Sequence, residues 1–248
     1  MKTLRLLLGD QLNIKHPWFK SVDDDVMFVL FEMRQETDYV THHIQKVIGF
    51  FAAMRQFATD LESAGHHVIY YKITDTNNTH DLVENLQNII KNKDISSFEY
   101  QLPDEYRLDQ QLQNFTKTLS IKFNTVDTAH FYTKRNDLKT FYEGKKQFVM
   151  ENFYRDMRKK HDILMEYGNP EGGKWNYDKS NRKKWKNEPK IPTYKYFKND
   201  VTEVVSDIEK SGIKTLGNWN EKTFNYPINR KQALEQLKYF CENLLKHF

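Results

Sequence analysis

Residues 26–73 read VMFVLFEMRQETDYVTHHIQKVIGFFAAMRQFATDLESAGHHVIYYKI, and they decide the fold. The stretch opens with the apolar run Val26–Phe31 and closes with residues 68–73, which are rich in β-branched and aromatic side chains. Both runs have the length and composition of buried strands. Between them, apolar residues recur at helical spacing, at Val40, Ile44, Val47, Phe51, Met54, Ala58 and Leu61. The stretch therefore predicts a strand, a helix that begins near Thr37 or Asp38, and a second strand.

The same alternation continues on either side of this unit. Residues 3–8 predict a first buried strand that ends at Gly9-Asp10, and residues 98–102 and 121–126 are weaker strand candidates. Helical patterns lie at residues 78–91 and 107–119. Strands that alternate with helices form a mostly parallel sheet that is covered on both faces. We therefore predict an α/β domain with a doubly wound parallel sheet over residues 1–130.

The pattern changes after residue 130. Residues 137–165, 201–210 and 230–247 have helical patterns, and the last of these segments is amphipathic. Residues 168–194, GNPEGGKWNYDKSNRKKWKNEPKIPTY, are rich in Gly, Pro, Asn and Lys. This composition predicts a long loop, and long loops in compact proteins are usually functional or disordered.

The net charge of +4 is unevenly distributed. Residues 134–198 hold 18 Lys and Arg against 9 Asp and Glu, together with twelve aromatic residues. Cations contact phosphates and aromatic rings stack on bases, so this basic, aromatic-rich segment, assigned to residues 131–198, is compatible with nucleic-acid binding. A solvated, lysine-rich connector would have the same composition, and the sequence leaves both interpretations open.

Composition excludes several classes of protein. The mean hydropathy is -0.82, and no apolar run approaches the roughly 18 residues that a membrane span requires, which excludes an integral membrane protein. The N-terminus has no secretory signal pattern. The single cysteine, Cys241, excludes a disulfide framework and a four-cysteine metal site held by this chain alone. A reducing, cytoplasmic compartment is the expectation.

Polar residues follow the first two predicted strands. Gly9, Asp10 and Gln11 come directly after the first strand, and Glu32 closes the second. The residues that follow supply a carboxylate, a phenol, an imidazole and an amine, at Glu36, Tyr39, His42 and Lys46. On a continuous helix, positions 39, 42 and 46 would share one stripe. Because doubly wound sheets bind ligands beyond the carboxyl ends of their strands, these residues predict a pocket for a polar aromatic ligand.

Plainer interpretations of these residues stay open. Gly-Asp is a common turn, and the helical stripe is compatible with a solvated surface. The sequence contains no G-x-G-x-x-G or Walker motif for phosphates, no H-E-x-x-H zinc motif and no G-x-S-x-G nucleophile motif. The usual dinucleotide and phosphate loops are therefore absent, and neither a zinc site nor a Ser-His-Asp triad is predicted.

Several sequence blocks resemble those of a known protein family. The run Leu8-Gly9-Asp10-Gln11-Leu12 and the block E-x-x-x-E-x-x-Y-V-x-H-H-x-x-K at residues 32–46 resemble the opening blocks of the deoxyribodipyrimidine photolyase-related proteins. A later run is the more specific match: FYRxMR at residues 153–158 and GGKWNYDxxNR at residues 172–182. This family includes the iron–sulfur bacterial cryptochromes and the prokaryotic (6-4) photolyases. The resemblance extends over the whole chain.

The resemblance implies a domain order. Family members have a Rossmann-like α/β antenna domain, an interdomain segment, and a helical domain that binds FAD, holds a 4Fe-4S cluster and docks damaged DNA. Residues 199–248 would then be the first helices of that domain. Relatives are about twice as long, and one cysteine cannot hold the cluster, so FAD and the cluster are expected outside this chain. The chain would be truncated, or a second polypeptide would supply the rest.

The resemblance also implies roles for individual residues. In relatives, 6,7-dimethyl-8-ribityllumazine is the antenna chromophore and lies near the carboxyl ends of the sheet. By motif position, Glu36, Tyr39 and His42 would line its pocket, with Gly9, Asp10 and Gln11 nearby. The residues expected to face nucleic acid or the interdomain region are Arg155, Arg158, Lys174, Trp175, Asn176 and Arg182.

Two functions of different classes follow. The first is the antenna-binding part of a light-dependent DNA repair enzyme or photoreceptor, which lacks the catalytic domain in this chain and is inactive alone. The second is a stand-alone module that binds a nucleotide, a flavin or nucleic acid without catalysis. Neither the lesion nor the choice between repair and signalling can be predicted from these motifs.

Overall fold

The structure is a computed structural model that describes residues 1–178, 184, 186–188 and 190–247. Its contacts group the chain into two compact units. The first unit contains residues 1–128 and 192–248, and the second contains residues 129–191.

Five strands form the central sheet of the first unit. They are β1 (Thr3–Leu6), β2 (Val26–Phe31), β3 (His67–Tyr71), β4 (Ser97–Gln101) and β5 (Lys122–Val126). Every pairing in this sheet is parallel, and the strand order is β3-β2-β1-β4-β5. The prediction of a doubly wound parallel sheet is therefore confirmed. The chain runs outward from β1 to β3, then returns to the other side of β1 for β4 and β5, so the order reverses between β1 and β4.

Eight α-helices lie in the described residues. They are α1 (Arg34–Asp38), α2 (Ile44–Ser63), α3 (Leu82–Asn92), α4 (Tyr106–Thr116), α5 (Asp137–Tyr142), α6 (Met150–His161), α7 (Thr202–Ser211) and α8 (Arg230–Tyr239). Four short strands form two antiparallel pairs, β6 (Met165–Glu166) with β7 (Asn169–Pro170) and β8 (Asn199–Asp200) with β9 (Thr223–Phe224). None of the helices in the described ranges is long and apolar enough to cross a membrane.

The sheet separates two buried apolar clusters, because successive side chains of a strand point to opposite faces. On β2, Phe28 belongs to one cluster and Val29 to the other. The first cluster includes Val47, Ile48 and Phe51 of α2 with Val204 and Ile208 of α7. The second includes side chains of α3 and α4, at Leu82, Leu86, Ile89, Leu108, Leu112 and Phe115. The helices therefore cover both faces.

Residues far along the chain complete the first cluster. Val201, Val204, Ile208, Ile213 and Phe224 are buried in it together with residues of β2 and α2. The sequence assigned residues 199–248 to the start of a helical domain, whereas the contacts group residues 192–248 with the α/β sheet. The assignment to a helical domain depends on the resemblance and stays a prediction.

The predicted helix start near Thr37 or Asp38 is wrong. Helix α1 ends at Asp38 and α2 begins only at Ile44. Leu216 interrupts the helix: its N–H donates to the His42 carbonyl at 2.8 Å, and its carbonyl accepts the Ile44 N–H at 2.9 Å. His43 then caps α2, because its Nδ1 accepts the Gln45 N–H at 3.3 Å. Val40, which the periodicity placed in the core, lies in the break and is exposed.

The second unit holds α5, α6 and the β6–β7 hairpin. The single helix predicted over residues 137–165 is two helices, separated by residues 143–149. Gly144 has a φ of +72°, a conformation that favours glycine and ends α5. Of the predicted loop at residues 168–194, residues 179–183, 185 and 189 lie outside the described residues.

The last predicted helix is shorter than expected. The pattern at residues 230–247 predicted a continuous helix, but α8 ends at Tyr239. A π-helical turn at Phe240–Leu244 and a 3-10 turn at Leu245–His247 follow it. Leu234, Leu237 and Leu245 of this segment are about half exposed.

Candidate ligand-binding site

A cavity of about 250 Å³ lies at the carboxyl ends of β1, β2 and β4, where the strand order reverses. This is the place at which an open α/β sheet forms a crevice, because the loops after neighbouring strands leave in opposite directions. Buried apolar side chains line one part of it, at Leu6, Leu7, Phe31, Met33, Val47, Phe51, Met54, Leu82 and Leu108. Polar side chains line the rest, at Asp10, Gln35, Glu36, Thr37, Tyr39, His42, Lys46, Glu105 and Arg107.

The loop after β1 forms one wall of the cavity, with Gly9 and Asp10 among its lining residues. A Cβ atom on Gly9 would lie 3.0 Å from the sulfur of Met54 on α2, which is closer than ordinary contact. Glycine therefore allows the loop to pack directly against α2. The third predicted residue, Gln11, is buried and does not line the cavity.

Gln11 instead holds the loop in place. Its Oε1 accepts the Leu8 N–H at 3.1 Å, which closes the turn, and its Nε2 donates to the Gln101 carbonyl at 3.2 Å. Gln101 is the last residue of β4. The amide therefore joins the ends of the two strands that flank the crevice, and Gln11 supports the wall without contacting the cavity.

His42 contacts the polar residues that line the cavity beside the start of α2. Its Nδ1 lies 3.1 Å from Lys46 Nζ, and its Nε2 lies 3.2 Å from the Glu36 carbonyl oxygen. An ammonium only donates, so Nδ1 accepts and the ring proton lies on Nε2, which donates to Glu36. The ring also meets Tyr39 edge to face, with centroids 5.2 Å apart. A buried imidazole thus connects the three neighbouring positions that the sequence singled out.

Tyr39 and Glu36 meet a partner that the sequence did not indicate. The Arg107 guanidinium lies over the Tyr39 ring, 4.5 Å from its centroid. One of its nitrogens lies 3.1 Å from the Glu36 carboxylate. Burial raises the pKa of Glu36 above the usual range, and the Arg107 charge acts against that shift.

Arg107 reaches the cavity because α4 begins beside it. The Glu105 carboxylate caps α4 by accepting the N–H groups of Arg107 and Leu108, each at 2.9 Å. Those three residues line the cavity from the β4 side of the crevice. The signal that could have found them is topological: a sheet whose order reverses beside β1 brings the loop after β4 to the site.

Glu32 follows β2 but does not join the cavity. Its carboxylate is fully buried and binds Arg55 through two hydrogen bonds of 2.6 and 3.0 Å. It also accepts the Tyr70 hydroxyl at 2.7 Å and the Ile73 N–H at 2.8 Å. Burial, followed by the Glu32 charge, raises the pKa of Tyr70. The expectation that Glu32 contributes to a ligand pocket is therefore corrected, since this carboxylate has a structural role.

The residues predicted for the interdomain segment meet in the second unit, around Trp175. Three cationic side chains lie over its indole: Arg155, Arg158 and Lys159, at 5.3, 5.4 and 5.5 Å from the ring. An open cavity of about 880 Å³ is bounded by Trp175, Asn176 and Lys174, with the exposed rings of Tyr154 and Tyr177. Arg182 lies outside the described residues.

Three of these side chains, those of Arg155, Arg158 and Asn176, are engaged in structural bonds. Arg158 is buried and donates to the carbonyls of Ile163, Leu164 and Trp175, so it fixes the end of α6 to the following loop. Arg155 pairs with Glu151 at 2.6 Å, and Asn176 donates to the same carboxylate at 3.0 Å. The Arg155 bond, followed by the Asn176 bond, lowers the pKa of Glu151.

Comparison with known proteins gives a family and two relatives. The sequence model of a family described as deoxyribodipyrimidine photo-lyase-related protein matches residues 5–224. A protein named (6-4) photolyase from Agrobacterium fabrum is 30% identical over 251 aligned residues, which cover 100% of this chain and 49% of that protein. Uncharacterized protein R852 of Acanthamoeba polyphaga mimivirus is 28% identical over 190 residues, which cover 73% of this chain and 94% of the viral protein. The chain therefore spans about half the length of the bacterial relative.

Proposed function

This chain belongs to the deoxyribodipyrimidine photo-lyase-related family, and on that premise we propose that its α/β sheet carries an antenna site for 6,7-dimethyl-8-ribityllumazine. The observation that carries the proposal is the cavity at the reversal of strand order, which combines apolar walls with a polar side. A flat heterocycle with a polar edge needs both, since its faces favour apolar or aromatic neighbours and its edge needs hydrogen bonds.

The residues that line the cavity suit this ligand chemically. Tyr39 offers a ring face for stacking, and its hydroxyl can bond to a ring edge. Lys46 and Arg107 donate hydrogen bonds, whereas Glu36 and Glu105 accept them. A pyrimidinedione edge presents both acceptors and a donor, and ribityl hydroxyls do the same. Gly9 lets the chain approach a bound ring closely. Bound lumazine would supply the absorption of near-ultraviolet light; the residues named here would hold and orient it.

We place this site within a larger light-dependent protein. The relative named (6-4) photolyase is about twice as long as this chain, which aligns with 49% of it. The proposed partner is the polypeptide that corresponds to the remainder of that relative, in which FAD and a 4Fe-4S cluster would be held. This chain would then collect light for DNA repair or signalling, and it would not catalyse the repair step by itself.

The proposal is tested by reconstitution. The purified chain is titrated with lumazine while the fluorescence of the ligand is followed, and circular dichroism verifies the fold. We expect binding of one ligand per chain. His42→Ala should weaken binding by about 10-fold or more, because it leaves polar partners without their hydrogen bonds. His67→Ala, a change at an exposed histidine on β3, should leave affinity unchanged. A folded chain that does not bind lumazine would remove the antenna function.

A second candidate function is supported by the second unit. The exposed cations Lys159 and Lys174 lie over the rings of Trp175 and Tyr177, and Tyr154 and Tyr177 are themselves exposed, so this part of the chain combines the two features of a surface that binds single-stranded nucleic acid. We propose that this surface contacts DNA, either in the complete protein or in the chain by itself.

Salt dependence tests this second candidate. A labelled single-stranded DNA is titrated with the chain at several salt concentrations, and affinity should fall steeply as salt rises. If Lys159 contacts a phosphate, Lys159→Gln should reduce the slope of log K against log salt by about 1. Lys117→Gln removes the same charge from the residue that follows α4, in the first unit, and should not change the slope. Absence of binding at low salt would leave the segment as a connector only.

A further inference from the structure

A loop far along the chain is bound to the residues that carry the cavity. Residues 213–217, which we call the return loop, follow α7 and belong to the same compact unit as the sheet. Leu216 pairs through its backbone with His42 and Ile44, at 2.8 and 2.9 Å. These are the two residues on either side of His43, the cap of α2. The return loop therefore holds the backbone of the segment that connects α1 to α2.

A second contact joins the return loop to the side chain of His43. Gly217 has a φ of +74°, and a Cβ atom placed on it would lie 2.5 Å from Nε2 of His43. The imidazole of His43 therefore packs directly over the Gly217 backbone, and no larger residue fits there without moving it. The same imidazole caps α2 at Gln45, so a displaced ring would disturb the first turn of that helix.

A third contact adjoins the loop. At the end of α7, the carbonyl of Ser211 accepts a hydrogen bond of 2.5 Å from Arg34, which is in α1 and pairs with Asp38 at 2.8 Å. Both helices that flank the break at residues 39–43 are therefore bonded to the chain around the return loop. Residues 39–43 include Tyr39 and His42, two of the side chains that line the cavity.

We propose that the return loop is a positioning element of the ligand site, and that it sets the His42 ring through the backbone of residues 42–44. His42 lies in the connection between α1 and α2, outside both helices, so its ring position depends on what holds that connection. Two backbone bonds to Leu216 and the packing of His43 on Gly217 supply this restraint. The His42 ring in turn orients Lys46 and contacts Tyr39. The part of the inference that concerns ligand affinity depends on the proposed antenna function, whereas the part that concerns His42 does not.

Two glycines provide a matched test. Gly217→Ala places a methyl group against His43, whereas Gly212→Ala changes a glycine of nearly the same φ, +70°, that has nothing within 4 Å of the added atom. Both variants place a Cβ atom on a glycine of similar positive φ, and only the one at Gly217 meets His43, so a difference between them reports that contact. The His42 ring is followed by long-range nitrogen–proton NMR of its imidazole, without ligand. Lumazine affinity is then measured on the same samples.

The expected result is a shift of the His42 ring signals in Gly217→Ala and not in Gly212→Ala, with lumazine affinity at least about 10-fold weaker in the first variant only. In a His43→Ala background the methyl group has no ring to displace, so adding Gly217→Ala should cost no more affinity than adding Gly212→Ala.

The outcomes separate this inference from the antenna function. If the wild-type chain binds lumazine and the two glycine variants behave alike in both measurements, the inference is overturned and the antenna function stands. If His42 moves only in Gly217→Ala but no chain binds lumazine, the positioning role stands and the antenna function is lost. If His42 moves in neither variant, the positioning role is rejected whatever the affinity.

Discussion

In the cavity, burial and a neighbouring positive charge have opposite effects on the pKa of Glu36. Burial raises its pKa above 4.5, and the Arg107 charge, 3.1 Å away, acts to lower it. Between pH 4.5 and the raised pKa, Glu36 therefore binds more protons in the folded chain than in the unfolded chain. By proton linkage, the free energy of unfolding falls as pH rises from 4.5 through the raised pKa.

Removing Arg107 should enlarge that effect. In Arg107→Met the opposing charge is gone, so we expect the pKa of Glu36 to rise further and the pH window of falling stability to widen upward. Carbon-13 NMR titration of the Glu36 carboxyl measures the pKa directly. Lys117→Met, which removes a positive charge from the far end of α4, serves as the control. An unchanged or lower pKa in Arg107→Met would contradict the electrostatic account.

Tyr39 tests the stacking surface of the cavity. Its ring is 59% exposed and contacts Arg107 on one face, so it is available to a flat ligand. Tyr39→Ala should weaken lumazine binding by at least about 1 kcal/mol, because an aromatic contact contributes about this much in addition to the area that it buries. Tyr39→Phe keeps the ring and should retain most of the affinity. Equal affinities in titrations of the wild type and the Ala variant would place the ligand elsewhere.

The buried face of helix α2 could be predicted from the sequence, but its first residue could not. Val47, Phe51, Met54, Ala58 and Leu61 recur at helical spacing and are all buried, because period and burial are local properties of an amphipathic helix. Its first residue could not be read in the same way. The helix begins at Ile44 because Leu216, some 170 positions later, occupies the backbone groups of residues 42 and 44.

Some residues of the cavity could likewise be predicted from nearby sequence, whereas others depend on distant parts of the chain. Glu36, Tyr39 and His42 lie close in sequence, and the chain brings them together as the motif predicts. Arg107 arrives from the loop after β4, on the other side of β1, and only the strand order places it there. Gln11 and Glu32 look like ligand-binding residues in sequence, but their polar groups bond to Gln101 and Arg55 within the fold. The residue type alone does not distinguish a side chain that lines the cavity from one that makes hydrogen bonds within the fold.

A buried cluster of charges connects α2, α7 and the residue that follows β2. Arg55 of α2 binds Glu32 at 2.6 Å and Asp207 of α7 at 2.8 Å. Although burial alone would lower it, the bonds and charge of Glu32 raise the pKa of Arg55. The guanidinium therefore stays charged and holds two carboxylates that lie on different elements.

Arg55→Met should destabilise the fold by about 3–5 kcal/mol, because it leaves the Glu32 carboxylate buried without its cation. Urea denaturation measures this loss. Lys238→Met breaks the exposed Lys238–Glu242 pair on the C-terminal helix and should cost no more than about 1 kcal/mol. A loss for Arg55→Met as small as that of the control would show that the cluster contributes little to stability.

The central sheet and the C-terminal part of the chain belong to one compact unit. Val201, Val204, Ile208, Ile213 and Phe224 are buried against β2 and α2, so residues 1–130 alone would expose the surface that they cover. Each such side chain contributes about 1.5–3 kcal/mol when fully buried. Losing the burial of several of these side chains would remove much of the free energy of unfolding of a typical domain.

We therefore predict that a fragment of residues 1–130 is largely unfolded or aggregated, whereas the chain of 248 residues folds cooperatively. Circular dichroism with urea titration compares the two. Adding residues 192–248 as a separate polypeptide should restore helical signal if the buried cluster is responsible. A stable, monomeric fragment 1–130 would contradict the single unit and support an independent α/β domain with the earlier boundary.

The cavity beside β1, β2 and β4 is proposed as the antenna site. A crystal structure of the chain reconstituted with 6,7-dimethyl-8-ribityllumazine tests this proposal, because it locates the ligand and shows its contacts. We expect the ring inside this cavity, in contact with Tyr39 and His42 and beside Gly9. Lumazine bound at another place, or a cavity that stays empty at saturating ligand, would contradict it.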